Sequence, residues 1–91
     1  MRLSVKPYIN NYPELVNQYT KQEQIKLIAS NIVLLREKKG MSQLELSNEI
    51  GMSAGTVGNI EAERSGISIE TLLKILNVLE VKPSKFFKIF D

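Results

Sequence analysis

The side chains able to engage a ligand gather in the middle of the chain. Between positions 42 and 65 stand Ser42, Gln43, Ser53, Thr56, Asn59, Arg64 and Ser65, hydroxyl, amide and guanidinium groups that hydrogen-bond without titrating near neutral pH. The chain has no Cys and no His, which removes disulfides, thiolate metal sites, and the commonest general base and metal ligand. Glu45, Glu49 and Asp91 read as capping, surface and terminal charges, so no nucleophile, base and oxyanion group converge. Neither an enzyme nor a cofactor is expected.

Charge alone does not decide what is recognised. Twelve basic and ten acidic residues give a net charge of +2, too small a bias to argue for nucleic acid. Arg36, Lys38 and Lys39 precede Gly40, and Lys82, Lys85 and Lys88 recur every third residue, but solvated helix faces carry such clusters too. Ninety-one residues with 43% hydrophobic content suit one small core, without room for a separate effector domain. No run approaches the roughly 18 apolar residues of a membrane span, and Met1 to Pro7 lacks the apolar core of a secretory signal. The expectation is a cytoplasmic protein with no membrane contact.

The elements that must position the polar cluster are helices. Residues 1–19 hold Pro7, Pro13, Asn10, Asn11 and three tyrosines and read as an arm packed on the body. From Thr20 the period changes: Ile25, Ile28, Ala29, Ile32 and Leu35 fall at helical spacing behind a Thr20–Glu23 capping box, which predicts a helix to about Lys39. Gly40 stops it. Ser42 and Glu45 repeat the capping box and open a second helix that carries Leu46 and Ile50 and ends at Gly51, with Ser53 expected to cap a third. Ser68 precedes a fourth, with Ile69, Leu72, Leu73, Leu76 and Leu79 in a stripe expected to be fully docked. Pro83 suits the first position of a short fifth.

Two short helices that cross steeply need small residues where their backbones approach and apolar ones where they grip the core. Counted from Gln43, the apolar Leu46, Ile50, Met52, Val57 and Ile60 fall at the fourth, eighth, tenth, fifteenth and eighteenth places. Ser47 is the small fifth residue and Gly51 the ninth, where the turn requires positive φ. The stretch GMSQLELSNEIGMSAGTVGNIE resembles the lambda-repressor and Cro (Xre-type) helix-turn-helix family, and the resemblance runs from about Ile25 to Phe87.

The resemblance implies an all-α, five-helix lambda-repressor-like DNA-binding domain over residues 20–91, its motif at 43–62, preceded by the short arm. The implied partner is double-stranded DNA, read by the helix at 53–62 in the major groove. Gln43 would approach a phosphate or base edge, and Ser42, Arg64 and Ser65 would contact phosphates, with Lys38 and Lys39 adding longer-range attraction. Arg36 and Glu61 match a family ion pair that maintains the fold. Base reading would fall to Ala54, Gly55, Thr56, Gly58 and Asn59, with Ser53 among the DNA-binding residues. Here the sequence departs from the pattern, because Ala54 and Gly55 stand where long polar side chains usually make bidentate contacts to bases. Either the glycines let the backbone approach the DNA closely and specificity comes from DNA shape, or this face serves a protein partner.

Phe86, Phe87, Ile89 and Phe90 exceed what one short helix can bury. Phe86, Phe87 and Phe90 could form a homodimer interface that sets two recognition helices about one DNA turn, ~34 Å, apart. Alternatively Phe86 and Ile89 fill the core while Phe87 and Phe90 cover the arm. Glu80 stands where related sequences often place a helix-ending glycine. The function expected is a sequence-specific transcriptional regulator, a small repressor or autoregulator; the alternative is an antitoxin-like protein-interaction module on the same scaffold.

Overall fold

The computed structural model describes residues 18–91. The expected arm therefore lies outside the described residues except for Gln18 and Tyr19. Helix α1 spans Lys21–Lys38, α2 Gln43–Glu49, α3 Thr56–Glu61, α4 Ile69–Leu79 and α5 Pro83–Phe86, and a 3-10 turn at Phe87–Phe90 closes the chain. No strand occurs among the described residues.

Both capping boxes form. Thr20 Oγ1 accepts from Glu23 N at 3.1 Å while Glu23 Oε1 accepts from Thr20 N at 2.8 Å. Ser42 and Glu45 repeat the exchange at 3.0 and 2.8 Å. Each box satisfies two backbone donors that a helix start otherwise leaves open.

Four of the helices end in the same way, with a left-handed residue just past the last turn and paired backbone bonds reaching back over it. Gly40 (φ 77°) and Gly51 (φ 74°) close α1 and α2. Gly51 N donates to Asn48 O and Met52 N to Ser47 O, both at 3.0 Å. At the ends of α3 and α4 the same position holds Glu63 (φ 60°) and Glu80 (φ 61°). Glu63 N donates to Ile60 O at 3.0 Å, and Val81 N to Leu76 O at 2.9 Å. The reversal after α4 thus forms without a glycine, and the Glu80 carboxylate accepts a hydrogen bond from Lys39 Nζ at the C-cap of α1. That bond and the lysine's charge hold the Glu80 carboxyl below the usual carboxylate range. Left-handed backbone costs a side-chain-bearing residue about 1–2 kcal/mol, against about 0.5–1 kcal/mol for the extra freedom glycine loses on folding. Glu63→Gly is accordingly expected to raise stability by about 0.5–1 kcal/mol, read as a higher urea midpoint at unchanged slope.

The core is built from Ile32 of α1, Leu46 of α2, Ile50, Val57 and Ile60 around the motif, Leu72, Ile75, Leu76 and Leu79 of α4, and Phe86 of α5. The expectation of a fully docked α4 is corrected. Ile69 and Leu73 are 68% and 44% exposed, whereas Ile75 is wholly buried. Residues 72, 75, 76 and 79 define one helical stripe, and positions 69 and 73 fall one step round the helix on its outer side.

Candidate nucleic-acid interface

Helices α2 and α3 meet at Ser47, which is wholly buried against the equally buried Val57. A larger residue would push the two backbones apart. The Ser47 hydroxyl also accepts from Val57 N at 3.1 Å, so α2 supplies the start of α3 with a cap that its own flanking residue, Gly55, cannot provide. The sequence marks Ser47 as small but not as a cap, because its partner lies ten residues away. Ser47→Ala should leave the Val57 amide buried without an acceptor and cost about 1–3 kcal/mol, measurable by urea unfolding. A loss within error would show that the hydroxyl is dispensable.

Helix α3 begins later than expected. Ser53 does not cap it; Gly55 occupies the N-cap position at φ −90°, ψ 0°, and the helix starts at Thr56. Thr56 N donates to Ser53 O at 3.0 Å, a three-residue reach that makes a turn, and the Ser53 hydroxyl pairs with the Thr56 hydroxyl at 3.0 Å instead of a backbone amide. Ala54 and Gly55 lie on that exposed turn.

A buried ion pair locks α3 onto α1. Arg36 Nε and Nη2 donate to Glu61 Oε2 and Oε1 at 2.7 and 3.0 Å, and Arg36 Nη1 donates to Met41 O at 2.7 Å. The side chains are only 10% and 5% exposed. The hydrogen bond that Arg36 donates to the Glu61 carboxylate raises the Arg36 pKa above its already high ordinary value, against the opposing effect of burial. Glu61 Oε1 also accepts from Gln43 Nε2 at 2.8 Å, so the first residue of α2 joins the same network. Asn59 is engaged as well. Its Oδ1 accepts from Arg64 Nε at 3.0 Å and its backbone carbonyl from Arg64 N at 2.9 Å, which sets the guanidinium beside α3.

The sequence-predicted residues therefore fall into groups. Gln43, Gly58 and Glu61 come together, as do Asn59 and Arg64, and Ser53 and Thr56. Ser42, Gln43, Asn59, Arg64 and Ser65 are exposed, whereas Thr56 and Gly58 are half-buried. In the C-terminal group, Phe86 is 2% exposed and belongs to the core, so it presents no surface to a second chain. Phe87 remains exposed, and Phe90 is half-buried, its ring edge-to-face with Tyr19 at 5.8 Å and stacked with Phe87 at 6.4 Å. The carboxylate link between Gln43 and Glu61 and the guanidinium link between Asn59 and Arg64 were not foreseen from sequence, where only their exposure-prone residue types are visible.

Residues 32–86 match the family model described as helix-turn-helix, over a span that contains α2 through α5 and the last part of α1. The chain belongs to the Xre, or lambda-repressor-like, helix-turn-helix family. Among its relatives is antitoxin HipB of Escherichia coli O6:H1 (strain CFT073), 35% identical over 54 residues, which cover 59% of this chain and 57% of the relative. Antitoxin HipB of E. coli K12 is 33% identical over the same length, 59% and 61% of the two chains. The matched region thus spans about three fifths of these curated relatives. Among solved structures, the restriction-modification controller protein C.Esp1396I superposes with a TM-score of 0.67 at 26% identity, covering 72% of this chain and 87% of the controller. The controller has also been solved as a tetramer in complex with its natural 35 base-pair operator, and that structure aligns at a TM-score of 0.66. These neighbours are regulatory helix-turn-helix proteins, not enzymes. No helix among the described residues is long and apolar enough to cross a membrane.

Proposed function

We propose that this family member is a sequence-specific DNA-binding transcriptional regulator, a small repressor or autoregulator, that inserts α3 and the turn before it into the major groove. The observation that carries this reading is the rigid α2–α3 crossing. The Ser47–Val57 bond joins α2 to α3 and the Arg36–Glu61 pair ties α3 to α1, which leaves Gln43 against Glu61, and Asn59 paired with Arg64, on exposed surface. The operator complex of C.Esp1396I supports the same use of the scaffold.

Within that reading, Arg64 is the chief phosphate contact. Asn59 already holds its guanidinium, so little side-chain freedom is lost on binding. Ser42 and Ser65 hydroxyls add neutral phosphate contacts, and the Gln43 and Leu44 amides at the start of α2 are the ones its capping box leaves open. Ala54 meets a thymine methyl, while Thr56 and the amide of Asn59 offer hydrogen bonds to base edges. Two copies joined through the exposed Phe87 and the neighbouring Phe90 would set paired half-sites about one turn, ~34 Å, apart.

Selection of bound duplexes from a random pool tests this by returning a motif and the half-site spacing together. Arg64→Ala should weaken binding to all sequences alike and lower the salt slope by about 1 per protomer. A chain that enriches no motif at low salt would sink specific regulation. The two HipB relatives favour a second reading, an antitoxin-like module that also holds a protein partner. Stoichiometric recovery of one partner from the native source would support it.

A further inference from the structure

The recognition surface carries a side chain borrowed from another helix. A Cβ built on Gly58 would lie 3.0 Å from Gln43 Oε1, tighter than side chains ordinarily pack, and 3.6 Å from its Cδ, an ordinary contact. Gln43 thus lies across α3 in the space where residue 58 would project a side chain. Its orientation is decided chemically. The Glu61 carboxylate can only accept a hydrogen bond, so the Gln43 amide nitrogen must face it, at 2.8 Å, and the amide oxygen must face Gly58. Gly55, by contrast, would meet only Asn59 Nδ2 at an ordinary 3.8 Å. The glycine at 58 is therefore a seat for Gln43 rather than a gap left for DNA.

We propose that Gln43, seated by Gly58 and oriented by Glu61, is a further base-reading side chain of this surface, with adenine as its target. One amide hydrogen is committed to Glu61. The oxygen and the second hydrogen remain, and these are the acceptor and donor with which glutamine pairs to the N6 and N7 edge of adenine in the major groove. Gly58 and Glu61 are positioning residues. The arrangement accounts for a recognition turn whose own Ala54 and Gly55 lack polar reach: the missing contact comes from α2, held rigid by the same carboxylate that anchors Arg36. This assignment rests on the DNA-binding reading above.

Selection from random duplexes with the full chain tests it, using Gln43→Ala, Gly58→Ala and the double variant. The wild type is expected to enrich adenine at one position of each half-site. Gln43→Ala should lose that preference by about ten- to a hundredfold while keeping the rest of the motif. Gly58→Ala should lose most of it too, and should change nothing further once Gln43 is already alanine. Thermal unfolding gives a readout free of DNA: alanine is the better helix former, so Gly58→Ala should raise Tm more in the Gln43→Ala background than in the wild type. If the wild type enriches a motif that Gly58→Ala leaves intact, or if Gln43→Ala weakens all sequences equally, this assignment is overturned while the regulator reading stands. A wild type that enriches no motif overturns both.

Discussion

Arg36→Ala is expected to lower the unfolding free energy by about 3–5 kcal/mol, the cost of stripping one partner from a buried pair. The magnitude follows from what would be left behind. Glu61, 5% exposed at its side chain, would lose both guanidinium bonds and keep only Gln43, and the Met41 carbonyl would lose its donor at 2.7 Å. Small domains are stable by about 5–15 kcal/mol in total, so this one change approaches the whole margin. The pair is not thereby a large net stabiliser. Taking both charges out of water costs nearly what their attraction returns, and the double replacement Arg36→Met with Glu61→Leu should come close to wild-type stability. The double variant nonetheless releases Gln43, so it should fold and still bind DNA poorly. Urea unfolding of the three proteins checks the first part; a loss below about 1 kcal/mol for Arg36→Ala would show the pair to be solvated in practice.

Leu46→Ala should cost about 2–5 kcal/mol, the range for a fully buried leucine whose site collapses only in part. Leu46 is 0% exposed and belongs to the shared core of α1 through α5. It sits one turn from Gln43 and next to Ser47, so it ties the two functional contacts of α2 to the body. The variant is therefore expected to lose operator affinity at temperatures where it still unfolds cooperatively, since α2 loosens before the core as a whole melts. Hydrogen exchange would register this as early loss of protection across residues 43–50. Uniform loss across all helices would instead place α2 within a single cooperative unit.

How much of this molecule could be read in one dimension depended on how far apart the interacting groups lie. The capping boxes at Thr20 and Ser42, the left-handed glycines at 40 and 51 and Pro83 at the start of α5 are all contacts within a few residues, and each was legible. The spacing of Leu46, Ile50, Val57 and Ile60 was legible because a helix converts it directly into one buried face. The resemblance to the family lay in the stretch from Gly40 to Glu61, which holds that spacing together with Ser47 and Gly51.

Tertiary structure decided the remainder. Glu63 and Glu80 adopt the left-handed backbone that local preference assigns to glycine, because closing bonds and, for Glu80, Lys39 from the distant end of α1 hold them there. Ile75 rather than Ile69 or Leu73 faces the core because neighbouring helices choose which side of α4 is covered. Phe86 is core while Phe87 stays exposed because successive side chains of a helical segment point to different sides and the neighbouring helices cover only the side that Phe86 faces. In the polar cluster, the family resemblance implied base reading by α3, with Gln43 approaching a phosphate or a base edge. Only the fold showed that Gln43 lies on α3, because the Glu61 carboxylate and the empty side of Gly58 are brought beside it by packing across 18 residues of chain. Hydrogen bonds of that reach leave no trace in local spacing, since neither partner is unusual until the other arrives.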